Sequence, residues 1–132
     1  MRFFTCIVVA FILAVPLSAF AEDAFDGTKT LLCATIEAHD CSPGEECDKG
    51  LSEDIGAPQF MKIDFGKKEI IGPVRSTPIA LMEKTDEQIT MHGFELGMGW
   101  VLALDRATGK MTVALAGQQQ AFVIFGACTP YP

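Results

Sequence analysis

Cysteine and histidine are the side chains in this 132-residue sequence with the widest chemical reach, and their spacing decides which chemistry is open to them. Cys6 sits inside an apolar N-terminal run, while Cys33, Cys41, Cys47 and Cys128 lie beyond it. A zinc site built from Cys33, His39, Cys41 and Cys47 would need close ligand pairs of the C-x-x-C type, and none is present. Oxidised pairs are the better reading. Cys41 and Cys47 flank Ser42-Pro43-Gly44-Glu45, where Pro-Gly favours a type II reversal that returns the second thiol towards the first. Cys33 and Cys128 then come within bridging reach if the first and last strands are neighbours. Four cysteines allow three connectivities, and the sequence leaves the other two open.

Catalytic patterns are sparse. His39 stands beside Asp40 in an acidic stretch, and His92 precedes Gly93 in a strand-like segment. The serines beyond the leader, Ser42, Ser52 and Ser76, have no Gly-x-Ser-x-Gly setting. Glu45 and Glu46 are adjacent, with nothing apolar nearby to raise one pKa for general-acid work. Asp64 and Asp105 precede turns, where a carboxylate accepts backbone N–H bonds. Gly66-Lys67-Lys68 and Thr108-Gly109-Lys110 lack phosphate-loop spacing and read as hairpin turns. Met82, Met91, Met98 and Met111 are too irregularly spaced for a copper site and serve better as core fillers. No catalytic residue, metal or cofactor is expected; a hydrolase using His92 or His39 with nearby acids is the alternative.

Residues 1–21 read as a cleavable export signal: Arg2, an apolar run from Phe3 to Leu17, and the small-residue ending Ser18-Ala19-Phe20-Ala21. That run is shorter than the ~20 residues a membrane helix needs and contains Pro16, so no membrane span is expected after cleavage. The expected location is periplasmic or secreted, an oxidising setting that favours disulfides. Residues 22–132 are enough for one domain with one core. Loss of Arg2 leaves 9 basic against 17 acidic residues, moving the formal charge from −7 to −8. This balance disfavours nucleic acid and anionic lipid. Much of the acid falls at Glu37, Asp40, Glu45, Glu46, Asp48, Glu53 and Asp54. The spacing lacks the alternating ligands and central Gly of a calcium loop, so residues 37–58 read as a solvated acidic loop carrying a disulfide.

Short apolar segments of period two, each ended by turn residues, predict an all-β domain. The expected strands are 30–36, 59–65, 69–71, 76–84, 88–95, 100–105, 111–116 and 121–128, with a helical turn near 52–55, a Gly66-Lys67 hairpin turn, a possible bulge at Gly93 and a type I turn over 105–110 closed by a left-handed glycine. About eight antiparallel strands in a single meander, stapled by disulfides, would close as a small barrel in preference to a sandwich, because an open sheet leaves long unpaired edges.

The C-terminal strands are apolar on both faces: Trp100, Leu102 and Leu104 oppose Val101 and Ala103, and Phe122 and Ile124 oppose Val123 and Phe125. A barrel wall has one dry face, so the other calls for a cover: the segment around Phe25, a second copy of the chain in a homo-oligomer, or a protein partner. If the interior is hollow, Trp100, Met91 and Phe122 are the candidate ligand-binding residues, and a non-catalytic binding module for a hydrophobic small ligand or protein partner is the expected function.

The segments FDGTKTLLCA (25–34), PQFMKIDF (58–65), GWVLALDRATGKM (99–111) and FVIFGACTP (122–130) resemble a family of small exported proteins of the proteobacterial type, itself uncharacterised; that likeness implies a bacterial, periplasmic β-domain and supplies no site residue. The Cys33 and Cys128 placement is also similar to periplasmic lysozyme inhibitors, eight-stranded barrels whose first and last strands share a disulfide. That family's Ser-Gly-x-x-Tyr inhibitory element is absent, and the single tyrosine is Tyr131. An envelope structural or inhibitor protein is therefore a further alternative.

Overall fold

The computed structural model describes residues 23–132; the leader expected over 1–21 lies outside them. Ten strands form: β1 (Leu31–Cys41), β2 (Asp48–Gly50), β3 (Phe60–Asp64), β4 (Glu69–Ile71), β5 (Ser76–Pro78), β6 (Leu81–Lys84), β7 (Gln88–Glu95), β8 (Met98–Asp105), β9 (Lys110–Ala116) and β10 (Ala121–Pro130), with one 3-10 turn at Ser52–Ile55. All pairings are antiparallel, so the domain is all-β as the period-two pattern predicts. The sheet runs β5-β4-β3-β1-β10-β9-β8-β7-β6, with β2 attached to β1. It curls into a half-barrel.

Two hairpin runs, β3 to β5 and β6 to β10, are joined by β1, which pairs with β3 on one side and β10 on the other. The predicted single segment 76–84 bends at Ile79-Ala80 and serves both ends of the sheet. The Ile79 N–H donates to the Lys68 carbonyl at 2.8 Å, extending the β4 side, and the Ala80 N–H donates to the His92 carbonyl at 2.8 Å, extending the β7 side. The ends of the sheet thus meet through consecutive residues, which limits the exposed edge.

Alternation sends Ile89 and Met91 of β7, Leu102 and Leu104 of β8, Met111 of β9 and Ile63 of β3 into one core. In β1 the register slips between Thr35 and Glu37, so the inward positions change from Leu31 and Cys33 to Ala38, and Ile36 turns outward. This bulge carries β1 on through Cys41. Residues 37–41, expected as the start of the acidic loop, are therefore strand, and His39 and Asp40 stand on it. Gly93 is not a bulge; it pairs in register with Trp100. The positive φ of the 65–68 turn falls on Lys68 (55°), not on Gly66 or Lys67.

Both expected disulfides are present. Cys33 and Cys128 face each other across β1 and β10 with Cα atoms 4.0 Å apart, and Cys41–Cys47 closes the short loop into β2. Because the Cys128 N–H points away to the Gly109 carbonyl (2.8 Å), the cysteines occupy a non-hydrogen-bonded pair, where opposing side chains lie closest. Phe25 packs against the core at the Gly109 turn, where a Cβ on Gly109 would lie 2.3 Å from the ring. The segment around Phe25 thus joins the inner core, and the outward row of Val101, Val123 and Phe125 stays half-buried to exposed.

The cross-links differ in span, 95 residues against 6. Loop-closure entropy then gives about 4 to 5 kcal/mol for the long bridge and about 2 kcal/mol for the short one. In urea denaturation the paired Cys33→Ser/Cys128→Ser variant is expected to lose about twice the stability lost by Cys41→Ser/Cys47→Ser; equal losses would show that the long bridge does not restrain the unfolded chain.

Candidate functional site

One end of the half-barrel is packed and the other is not. At the packed end Phe25, Ile89, Met91, Leu102 and Leu104 fill the interior, and Met91 is fully buried. Towards the Leu96-Gly97 turn, the connection after the 3-10 turn contributes only short side chains, Gly56, Ala57 and Pro58, and the β4–β5 loop contributes Gly72. The space they leave is a cavity of about 190 Å³, open on one side and walled by Met61, Ile70, Trp100, Leu115, Phe122 and Ile124.

Of the three candidate ligand-binding residues, Trp100 and Phe122 are brought together in this wall. Met91 is not among the lining residues and is fully buried on β7. Trp100 is fixed by the strand opposite. Its ring covers Gly93, where a Cβ would lie 2.3 Å from Cζ2 and 2.5 Å from Cε2. Glycine is thus required at 93 by close approach, the reason the sequence suggested a bulge there. The buried indole Nε1 has no hydrogen-bond partner among the described residues.

The cavity lining carries two charged side chains, Arg75 and Glu95. Arg75, in the loop between β4 and β5, holds Glu95 at the end of β7 through Nε and Oε1 at 2.6 Å. Residues 75 and 95 lie at the open end of the 76–84/88–95 pair of segments, where β5 runs beside the end of β7 and the Thr77 hydroxyl donates to the Phe94 carbonyl at 3.1 Å. Beside them the β7–β8 turn places Leu96 at φ 50° with its side chain exposed.

The histidines do not form a site together. His92, Val101, Ala114, Val123 and His39 stand in one cross-strand row, so β8, β9 and β10 separate the two rings. At ~4.8 Å per strand they lie roughly 19 Å apart along the sheet. His39 Nε2 instead donates to Glu37 Oε1 at 2.6 Å and meets Phe125 edge-on, while Lys49 from β2 donates to Glu37 Oε2 at 2.6 Å. The hydrogen bonds from Lys49 and then His39 hold the Glu37 carboxyl below the usual carboxylate range. Asp105 is lowered chiefly by the Thr108 N–H, and its Oδ1 also accepts from Ala107, the turn-capping role read from its position. Asp64 does the same for the Lys67 N–H at 2.9 Å. Among the described residues no group of three His, Cys, Asp or Glu side chains is placed to hold a metal ion.

No protein-family model, curated protein or solved structure matches this chain. No described helix is long and apolar enough to cross a membrane. The cavity, its indole wall and its charged mouth are therefore read from their own geometry.

Two outcomes follow from these contacts. Gly93→Ala forces the Trp100 ring away from β7, with an expected loss of about 1 to 3 kcal/mol in urea unfolding and a changed Trp100 emission maximum; an unchanged spectrum and midpoint would show that the ring does not rest on residue 93. Glu37 has an ordinary value of 4.5 and a lower one when folded, so its stabilisation is complete above that value and lost as pH falls through the folded one. Melting temperatures followed from neutral pH into acid are expected to fall less steeply in Glu37→Gln than in the parent, and parallel curves would remove the Glu37 contribution.

Proposed function

We propose that the protein is an exported, periplasmic binding module without catalytic activity, and that its cavity takes a small hydrophobic ligand against Trp100 and Phe122. The observation that carries this reading is the unfilled apolar end of an otherwise close-packed interior. Small-ligand sites are concave and lined mostly by apolar and aromatic side chains with a few polar groups, and this opening has that lining. A dry cavity of about 150 Å³ accepts benzene, which sets the scale here at one ring with a small substituent.

The catalytic alternative has less support. The two histidines lie far apart on the outer face, and neither is among the residues lining the cavity. Inhibition of the lysozyme-inhibitor kind lacks its recognition element in this sequence. Two disulfides agree with an oxidising compartment.

The single tryptophan makes the test direct. Titration with toluene, excited at the red edge of the indole band, is expected to change Trp100 emission saturably and raise the melting temperature. In Ala57→Leu, which fills the cavity from its floor, both responses should vanish while unfolding stays cooperative. A parent protein giving neither response, or a filled variant responding like the parent, would remove the ligand-binding reading.

A further inference from the structure

We infer that the ligand of this cavity is a small hydrophobic amine, whose ammonium group takes the place of Arg75 on Glu95 at the mouth. The inference rests on the cavity being a ligand site and adds the chemistry of the ligand's polar end. Arg75 and Glu95 are the two charged residues in the lining, and they are in direct contact, Nε to Oε1 at 2.6 Å. Arg75 is held by the four-residue loop that the Gly72 N–H closes on the Arg75 carbonyl at 2.9 Å, and Glu95 is fixed by its ladder pairing with Met98. A molecule seated against Trp100 with a polar end at the mouth meets this ion pair first.

Three polar ends are possible, and the pair does not treat them alike. A hydroxyl leaves the pair intact and gains a neutral hydrogen bond at most. A carboxylate can reach the Arg75 N–H groups that Glu95 does not use, but it then lies beside the Glu95 carboxylate, two like charges close together. An ammonium competes with Arg75 for Glu95, and here the asymmetry of the pair matters. The Arg75 side chain is 51% exposed and the Glu95 side chain 25% exposed, so the displaced guanidinium is the partner that water already reaches. Glu95 keeps a charge-assisted hydrogen bond throughout.

Two further features point the same way. The chain carries a formal charge of −7, which raises the local concentration of cations and lowers that of anions. The rings of Trp100 and Phe122 in the wall suit the aromatic body of such a ligand, while its charged end stays with Glu95. A primary amine on one ring satisfies the cavity size, the aromatic wall and the carboxylate together.

The test compares benzylamine, benzyl alcohol and benzoate, which share a ring and differ in charge, using Trp100 emission and melting temperature at neutral pH and low salt. Benzylamine is expected to bind at least about ten-fold more tightly than benzyl alcohol, with benzoate weakest. In Glu95→Gln the preference for benzylamine over benzyl alcohol should disappear, and in Arg75→Gln it should grow, because Glu95 is then free of its guanidinium partner. Equal affinities across the series, or a preference that survives Glu95→Gln, would overturn the amine and leave the cavity as a site for neutral ligands. Failure of all three probes would instead count against the cavity as a binding site, and the inference would fall with it.

Discussion

The ladder between the first and last strands is the contact on which the rest of the molecule depends. The chain makes two hairpin runs, β3 to β5 and β6 to β10, each formed from neighbours in sequence and cheap in loop-closure entropy. Only β1 and the bend at Ile79-Ala80 unite them into one curled sheet. Pairing residue 33 with residue 128 closes almost the whole domain, which is the costly step for a chain whose other contacts are mostly local. The buried Cys33–Cys128 bridge makes that step permanent once formed.

The same contact reaches the cavity. Cys33 faces Cys128 on one side and Met61 of β3 on the other, and Met61 forms part of the cavity wall. Cys128 Sγ also touches Met111 Sδ at 3.8 Å. Met61 thus links the cross-link to the cavity wall, while Cys128 and Met111 lie outside the lining.

Inward-facing alternation was legible in the sequence where apolar and polar residues alternate, as in β3 and β7, and the eight expected segments map onto nine of the strands, 76–84 supplying both β5 and β6. The extension of β1 through residues 37–41 was not. Its outward residues are Glu37, His39 and Cys41, its one buried side chain is Ala38, and the bulge at Ile36 reverses the parity on which a period-two pattern relies. β2 was hidden for a related reason: Asp48, Lys49 and Gly50 have weak strand preference, and they pair because the Cys41–Cys47 bridge turns them back along β1. Trp100 and Phe122 could be placed on the inner face from alternation alone. Met91 shares that inner face, but the chain gives no sign of which end of the interior is filled.

What divides the interior is side-chain size in the connections, which no strand pattern records. At one end Phe25 arrives from outside the sheet and occupies the space above Gly109. At the other end the connections line the opening with Gly56, Ala57, Pro58 and Gly72 beside Ile55, Arg75 and Leu96, and an apolar space remains. Two neutral ends would have left the cavity without orientation. Instead Arg75 and Glu95 at the open end carry opposite charges and pair with each other, so the mouth is polar while the depth is apolar. The opening thus joins a charged pair to an apolar interior, and the proposed ligand reading rests on that combination.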